Sequence, residues 1–375
     1  MQLVAVGAQD VSLIGNPQIT FFKSCYRTHT NFSMQCFQQQ FDGHVSFGQK
    51  ASCIVSRNGD LIHKTLLCIE LPPLDDLDSA WVRNIGHFII QDVSIEIGGQ
   101  LIDKQYGDWM NIWNELTQKA EKAAGYDAMI GANLGNAGGT LYVPLQFWFC
   151  RHTGMSLPLV ALQYHDVRIH VEFRKASECY VGNATPPVLK SASLYIDTIF
   201  LDTDERRRFA QTEHTYLIEQ LQYSLESFSM KNIHSTLSFN HPCKELVWVL
   251  QPEERSLAKE WYDYSLDGNG QQTLEEATLL LNGHERFSKM KAEYFNLVQP
   301  YHHHTAVPSP GIYVYSFALH PELHAPSGAL NMSRMDSVIM AMATRIDGPY
   351  TLRVYSINFN LLHITSGMCG LKYSN

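Results

Sequence analysis

The stretch Gln91–Thr117, QDVSIEIGGQLIDKQYGDWMNIWNELT, carries the pattern that decides the fold. From Val93 to Ile97 apolar residues alternate with polar ones, which is typical of a half-buried strand. Gly98-Gly99 then permits a tight reversal, because residues without a Cβ readily adopt positive φ. From Trp109 to Leu116 apolar residues recur at i, i+3, i+4 and i+7, as on one face of a helix. We therefore predict a strand, a tight turn and a helix in succession.

The same pattern occurs a second time. Glu276–Pro300, EATLLLNGHERFSKMKAEYFNLVQP, again combines an apolar strand, a turn at Asn282-Gly283 and an aromatic segment. Five further pairs of segments repeat in the same order: 31–34 with 227–230, 64–72 with 244–252, 142–149 with 313–319, 166–171 with 336–339, and 194–196 with 354–356. Repeated segments that keep the same order and are separated by roughly half the chain indicate two copies of one domain.

Composition fits this organisation and narrows the function. A chain of 375 residues accommodates two domains, each large enough for a core of its own. Charged residues make up 17% and apolar residues 45%, which predicts much buried surface, including surface buried against neighbours. The net charge is −9 and no stretch is strongly basic. Because Lys and Arg supply most affinity for phosphates, we expect no direct binding to nucleic acid.

Cysteine usage and hydropathy predict a soluble cytosolic product. The eight cysteines contain no C-x-x-C pair, so we expect free thiols in a reducing compartment. Met1–Ala8 is apolar but short and lacks the basic residues of a signal peptide. The longest apolar run, Leu141–Cys150, contains Pro144 and Gln146 and is too short to span a bilayer.

Read in order, the chain predicts an arm, two strand-rich domains and a charged connection. We expect an extended arm over residues 1–30, a first domain over 31–203, a hinge over 204–212 around Asp202–Arg208, and a second domain over 213–375. Glycine-rich Ala120–Thr140 is predicted to be a flexible loop. Many short strands with closely spaced turn signals predict an all-β fold of two tandem eight-stranded antiparallel jelly rolls, with short helices in the loops.

The sequence contains no pattern that predicts catalytic, cofactor-binding or metal-binding residues. His302–His304 lacks the nearby carboxylate of a jelly-roll metal site, so we expect a solvated loop. Asp263, Ser265, Asp267 and Gly268 resemble the start of a calcium loop, but position 12 is Leu274 rather than Glu. A polar surface turn is the prediction there.

Four aromatic residues occupy equivalent places in the two repeats and predict core or interdomain packing: Trp109, Trp113, Tyr294 and Phe295. No phosphate-binding glycine motif and no nucleophile elbow accompany them. The expectation is a protein that is not an enzyme.

Segments along the whole chain resemble the major capsid proteins of nucleocytoplasmic large DNA viruses, of the chlorovirus kind. They are Gly7–Lys23, Ser56–Ile62, Gln91–Lys104, Tyr142–Leu145, Leu157–Val167, Phe200–Ala210, Tyr216–Gln222, Phe239–Pro242, Leu281–Phe287, Tyr294–Tyr301, Gly311–Leu319, Pro326–Arg334 and Ser366–Leu371. The family fold is a double jelly roll, which agrees with the repeat found in the residues.

The resemblance implies a structural capsid protein without cofactors. Three chains are expected to form a pseudo-hexagonal capsomer that tiles an icosahedral shell, with assembly in the host cytoplasm. Expected partners are neighbouring capsomers, minor capsid and penton proteins, and a nearby inner viral membrane. Expected contributors to assembly are the arm Gly7–Lys23, the hinge Asp202–Arg208 and the C-terminal Ser366–Leu371. Short second-domain loops at 251–275 and 343–351 predict low outer projections.

Two other functions stay open from the residues alone. Jelly rolls also occur as carbohydrate-binding, lectin-like proteins, which exposed aromatic residues on the loops would favour. A metal-dependent enzyme would have to use His302–His304.

Overall fold

The computed structural model describes residues 4–374, in which two β-sandwich lobes follow one another. The first lobe contains β1 (Phe32–Gln40), β2 (Lys50–Ile54), β3 (Leu61–Leu71), β4 (Ile90–Ile97), β5 (Gln100–Tyr106), β6 (Gly139–Pro144), β7 (Val167–Phe173) and β8 (Ser191–Leu201). The second lobe contains β9 (His214–Phe228), β10 (Asn232–Thr236), β11 (Pro242–Pro252), β12 (Leu274–Leu281), β13 (His284–Glu285), β14 (Ile312–Ser316), β15 (Val338–Thr344) and β16 (Tyr350–Thr365).

Both lobes have the same strand order. The sheets of the first lobe run β1-β8-β3-β6 and β2-β7-β4-β5, and those of the second run β9-β16-β11-β14 and β10-β15-β12-β13, all antiparallel. Adding eight to each strand number converts one lobe into the other. Two facing four-stranded sheets with this connectivity are a jelly roll. The predicted fold class is confirmed.

Short strands extend this framework. Leu157–Pro158 pairs with β3, Met290–Lys291 with β12, Leu330–Asn331 with β11 and Met368–Leu371 with β16, while Ala80–Trp81 pairs with Tyr180–Val181.

Helices occupy the connections. They are α1 (Val11–Ile14), α2 (Ile85–Phe88), α3 (Gly107–Thr117), α4 (Ala120–Ile130), α5 (Trp148–Arg151), α6 (Ala176–Cys179), α7 (Thr203–Gln211), α8 (Glu253–Leu257) and α9 (Gln299–His303). A π-helical turn, Tyr294–Val298, leads directly into α9. Short 3-10 turns lie at Ala8–Asp10, Thr153–Met155, Leu159–Ala161 and Met332–Arg334.

The prediction of a flexible loop over Ala120–Thr140 is wrong for its first half, which forms α4. The opening residues AEKAA are strong helix formers, and their summed propensity outweighs the cost of Gly125. A Cβ at Gly125 would meet nothing, so this glycine serves no close approach. Gly131, with φ +67°, ends the helix in the left-handed conformation.

The two turns that revealed the repeat are confirmed. Gly98 and Gly99 have φ of 59° and 84°, and Asn282 and Gly283 have φ of 51° and 80°. Positive φ at both central residues matches the twist of the flanking strands, so each turn closes a tight hairpin.

One repeat was aligned out of register. In the sequence, residues 64–72 match residues 244–252, which aligns β3 with β11 at a separation of 180 residues (244 − 64). In the sheets, Leu66 lies opposite Tyr195, and Val247 lies opposite Tyr355. The two tyrosines are equivalent, because β8 and β16 occupy the same place in the strand order and the repeat pairs residues 194–196 with 354–356. The true shift is therefore 181 (247 − 66). A slip of one residue exchanges the two faces of a strand.

Strand β11 shows how the lobes share their packing. Leu246, Trp248 and Leu250 belong to the core of the second jelly roll. Val247 and Val249, which alternate with them, belong to the cluster that contains the first lobe's core. Both faces of this strand are therefore buried, one against its own lobe and one against the other.

Residues of the predicted hinge form the capped helix α7. The Asp202 carboxylate accepts a hydrogen bond from the Glu205 N–H at 2.9 Å, as an N-cap residue does. Arg206 donates two hydrogen bonds to Asp60 of the first lobe, at 2.8 and 3.0 Å. The connection is thereby attached to the first lobe.

Candidate assembly interface

Aromatic side chains join the lobes where β5 and α3 meet the outer face of the β9-β16-β11-β14 sheet. Trp109 packs against Tyr355 with ring centroids 5.2 Å apart, and Tyr106 packs against Tyr223 at 4.5 Å. Trp109 and Tyr355 are both fully buried. The prediction that Trp109 serves in packing is confirmed, and its partner lies in the other lobe.

Hydrogen bonds between main-chain and side-chain groups fix the orientation of the same contact. The Leu221 N–H donates to the Asp103 carboxylate at 3.1 Å, and the Gln220 amide donates to the Ile102 carbonyl. Burial raises the pKa of Asp103 to about 6, while the bond from Leu221 opposes that rise. The second lobe is thus attached to β5 by polar as well as apolar contacts.

A buried ionic cluster crosses the contact beside these rings. Glu219 accepts from Lys244 at 2.6 Å and from Arg151 of the first lobe at 2.8 Å. The Lys244 side chain is fully buried, and the Arg151 guanidinium lies 4.3 Å from the Trp113 ring centroid. Charges removed from water require such close partners, so this cluster requires the two lobes to be docked.

The prediction of a solvated loop at His302–His304 is wrong for His304. Its side chain is fully buried between Glu245 at 2.8 Å and Glu322 at 3.0 Å. Burial alone would lower the pKa of His304, but the two carboxylates outweigh burial and raise it to about 9. His302 is exposed, as predicted, but it lies in helix α9 rather than in a loop.

The resemblance to a calcium loop has a structural explanation. The Asp263 carboxylate accepts from the Ser265 N–H at 2.9 Å and from its hydroxyl at 2.6 Å. Asp267 likewise caps the N–H groups of Asn269 and Gln271. Ser265 is buried, which differs from the predicted surface turn, whereas Asp267 is exposed. Across residues 4–374 no cluster of His, Cys, Asp and Glu is placed to hold a metal ion.

Sequence reasoning missed a serine–histidine–glutamate contact on the first lobe. The Ser52 hydroxyl lies 2.7 Å from His170 Nδ1, and His170 Nε2 lies 3.3 Å from Glu96. These residues come from β2, β7 and β4, so only strand pairing brings them together. Paired strands use their N–H groups in the ladder, whereas an acyl-transfer site needs free donors for an oxyanion. The contact is a cross-strand polar cluster.

The C-terminal Ser366–Leu371 contacts the first lobe of its own chain. The Tyr164 N–H donates to the Gly367 carbonyl at 3.0 Å, and the Cys369 N–H donates to His165 at 3.1 Å.

The arm, in contrast, contains exposed apolar side chains. Leu13, Phe21 and Phe22 are 86%, 88% and 98% exposed.

Over residues 4–374 no helix is long and apolar enough to cross a bilayer. All eight cysteines are free, as predicted.

The contact between the lobes is head-to-tail, because it joins different surfaces of two similar units. The second lobe uses its outer sheet face, and the first uses β5 and α3. The counterparts of these two surfaces, which are the outer sheet face of the first lobe and the helical segment of the second, are uncovered. Tyr142 and Tyr195 lie on the outer face of the first lobe's sheet, and the second lobe presents Leu297, Val298 and Tyr301 from its helical segment.

Comparison with known proteins identifies both halves. Residues 20–202 match the family described as "Major capsid protein N-terminus", and residues 205–370 match "Large eukaryotic DNA virus major capsid protein". The major capsid protein of Pyramimonas orientalis virus is 47% identical, over 100% of this chain and 99% of that protein. That of Paramecium bursaria Chlorella virus 1 is 37% identical, with the same coverage.

Solved structures of capsid proteins are also similar to this chain. A chain of the PBCV-1 virus capsid quasi-atomic model is 33% identical, with a TM-score of 0.85 covering 95% of this chain and 100% of that one. The Faustovirus major capsid protein, 12% identical, shares the fold with a TM-score of 0.82, covering 96% of this chain and 94% of that one. This chain belongs to the family of major capsid proteins of large eukaryotic DNA viruses.

Proposed function

We propose that three copies of this chain form a ring of six lobes that serves as the building block of a capsid shell. The head-to-tail contact within the chain carries the proposal. Such an interface leaves one surface unused at each end, and its repetition closes a ring when the rotation at each contact is a whole fraction of a full turn. Three chains with two similar lobes each would supply six similar edges to neighbouring blocks.

The two uncovered surfaces have the character of subunit contacts. On the second lobe, Tyr301 is 77% exposed and Leu297 47% exposed. On the first lobe, Tyr195 occupies the position of Tyr355, and its ring lies 6.1 Å from Tyr142. Burying apolar area of this kind against another copy is favourable by roughly 25 cal/mol per Å². A neighbouring chain's helical segment is the partner that the internal contact suggests for the first lobe's face.

Further roles follow from this one. The arm, proposed as residues 1–30, would attach to minor capsid or penton proteins or lie near an inner membrane, because its apolar side chains need a surface. Neighbouring capsomers would meet across the outer sides of the lobes, with assembly in the host cytoplasm. The protein would act without enzymatic chemistry, cofactors or direct contact with nucleic acid, consistent with its net charge of −9.

Native mass determination tests the trimer. We expect wild-type protein to have the mass of three chains, and Tyr301→Asp to dissociate because a charge would enter the contact. Leu257→Asp is the matched control, since Leu257 is also 77% exposed but lies on α8. Single chains in the wild type, or trimers in both Tyr301→Asp and Tyr195→Asp, would refute the proposal.

A further inference from the structure

Two histidines from different lobes face each other where the lobes meet. His152 follows α5 of the first lobe, and His324 lies in the segment between β14 and β15 of the second. Their rings are stacked, with centroids 6.0 Å apart and planes inclined by 25°. Both line a cavity of about 130 Å³, whose other lining residues are Trp148, Arg151, Glu219, Glu322 and Leu323. The pair belongs to one chain, so it does not depend on the proposed trimer.

The first-lobe histidine makes a hydrogen bond that requires an uncharged ring. The Gly154 N–H donates to His152 Nδ1 at 3.1 Å, so His152 caps the 3-10 turn Thr153–Met155. A backbone N–H can only donate, and Nδ1 must therefore carry no proton. A proton added to this nitrogen would break the bond and make the ring a cation. His152 accordingly keeps its place as the cap only in the neutral state.

The two carboxylates that line the cavity are already paired with other cations. Glu219 binds Arg151 at 2.8 Å and Lys244 at 2.6 Å. Glu322 binds His304 at 3.0 Å. The groups paired with one another around the two histidines are balanced, with three cations and three carboxylates: Arg151, Lys244 and His304, and Glu219, Glu245 and Glu322. Further positive charge at the pair would meet no carboxylate that lacks a cation.

The second-lobe histidine lies close to a buried cation. The Lys244 ammonium donates to the carbonyl of Leu323, the residue before His324, at 3.1 Å. Burial lowers the pKa of the half-buried His324; Glu219 opposes this shift, whereas His152 and Lys244 add to it. A histidine of this kind stabilises the folded chain above its unfolded pKa of about 6.5 and loses that contribution as the pH falls below it.

We propose that the His152–His324 pair makes the docking of the two lobes sensitive to mild acid. With both rings neutral, the rings stack and the cap at Gly154 is intact. Protonation would place two cations with their ring centroids 6.0 Å apart, beside a cluster whose charges are already balanced. It would also break the bond from Gly154. Both effects act where the lobes meet, so the lobes would separate more readily in acid.

Urea unfolding at about pH 7.5 and about pH 5.5, at one protein concentration, tests the proposal. Acid should raise the unfolding equilibrium constant of the wild type about threefold or more beyond that of His324→Gln, because the glutamine takes up no proton. His320→Gln is the matched control, since His320 belongs to the same segment but is exposed and lies outside the cavity. This control should follow the wild type.

Other buried groups titrate in the same pH range. Burial lowers the pKa of His87 to about 4 and raises that of Asp103 to about 6. Both are present in every variant, so their contributions cancel in the comparison. The double variant then shows whether the two histidines act together: in the His152→Gln background, His324→Gln should remove clearly less acid sensitivity than it does in the wild type.

Hydrogen exchange locates the change in the molecule. Residues 217–223 of β9 are attached to β5 through Gln220 and Leu221, so their exchange reports on lobe docking. At about pH 5.5 we expect them to exchange about threefold faster in the wild type than in His324→Gln, while β2 of the first lobe exchanges equally in both.

Three results would overturn the proposal. They are equal acid sensitivity in the wild type and His324→Gln, an undiminished effect of His324→Gln in the His152→Gln background, and equal exchange of residues 217–223 in the wild type and His324→Gln. His324→Asn replaces the glutamine variant if thermal melting shows the latter to be unfolded.

Discussion

The outer sheet faces of the two lobes are built from equivalent strands but have different surroundings. In the second lobe Tyr355 is fully buried against Trp109 of the first. In the first lobe Tyr195, at the equivalent position, is half-buried beside Tyr142. The same architecture thus has one satisfied face and one uncovered face. In the proposed ring, the uncovered face of the first lobe would be the one that meets the next chain.

The largest expected effect comes from truncating the two equivalent tyrosines in the Tyr301→Asp single-chain background. Tyr355→Ala should lower the free energy of unfolding by about 3–5 kcal/mol, since it empties a packed aromatic contact. Tyr195→Ala should lower it by less than about 1 kcal/mol, because solvent already reaches this ring. Urea unfolding measures both, and equal losses would contradict the comparison.

Two lysines, Lys244 in the second lobe and Lys64 in the first, provide a second comparison. Lys244→Met removes one cation from buried Glu219 and should lower the free energy of unfolding by about 3 kcal/mol. Lys64→Met, on the exposed face of β3, should change it by no more than about 0.5 kcal/mol. The same urea experiment applies. A similar small effect at both sites would mean that Arg151 alone suffices for Glu219.

The pH dependence of the free energy of unfolding tests the contribution of the His304 ion pairs. Its pKa is raised to about 9 in the folded chain, against about 6.5 when unfolded. The ion pairs therefore stabilise fully below about pH 6.5 and lose their contribution as pH rises through 9. Wild type should lose on the order of 2–3 kcal/mol over this range relative to His304→Gln. His302→Gln, which alters an exposed side chain, should follow the wild type.

The smallest effect on stability is expected from deleting Met1–Phe22, whose first three residues lie outside the described part. Residues 4–22 pack little against the lobes, so the melting temperature should change by no more than about 2 °C. Shell formation should nevertheless fail or slow, as electron microscopy of assembly reactions would show. Normal shells from the truncated chain would remove the arm from the assembly mechanism.

The duplicated fold could be predicted from the sequence because its signals are local. Gly98-Gly99 and Asn282-Gly283 each specify a turn by their own conformational freedom. The strand before Gly98 also alternates from Val93 to Ile97. The one-residue register error at β11 arose because this strand is apolar on both faces. Without alternation, residues 246–250 give no indication of which side chain faces which lobe.

The site features that escaped prediction depend on distant partners. His304 lies 59 residues from Glu245 and 18 from Glu322, so only the fold shows why a histidine run includes a buried cation. Helix α4 was missed for another reason: glycine counts obscured a short run of strong helix formers.

The doubly apolar strand β11 also has a consequence for biosynthesis. A ribosome delivers the first lobe before the second, and domains generally fold in that order. Trp109 and Trp113 then stay without their second-lobe ring partners, Tyr355 and His304, until those residues have been translated. During that interval the nascent polypeptide displays a sticky aromatic surface, and neighbouring nascent chains on one messenger could capture it.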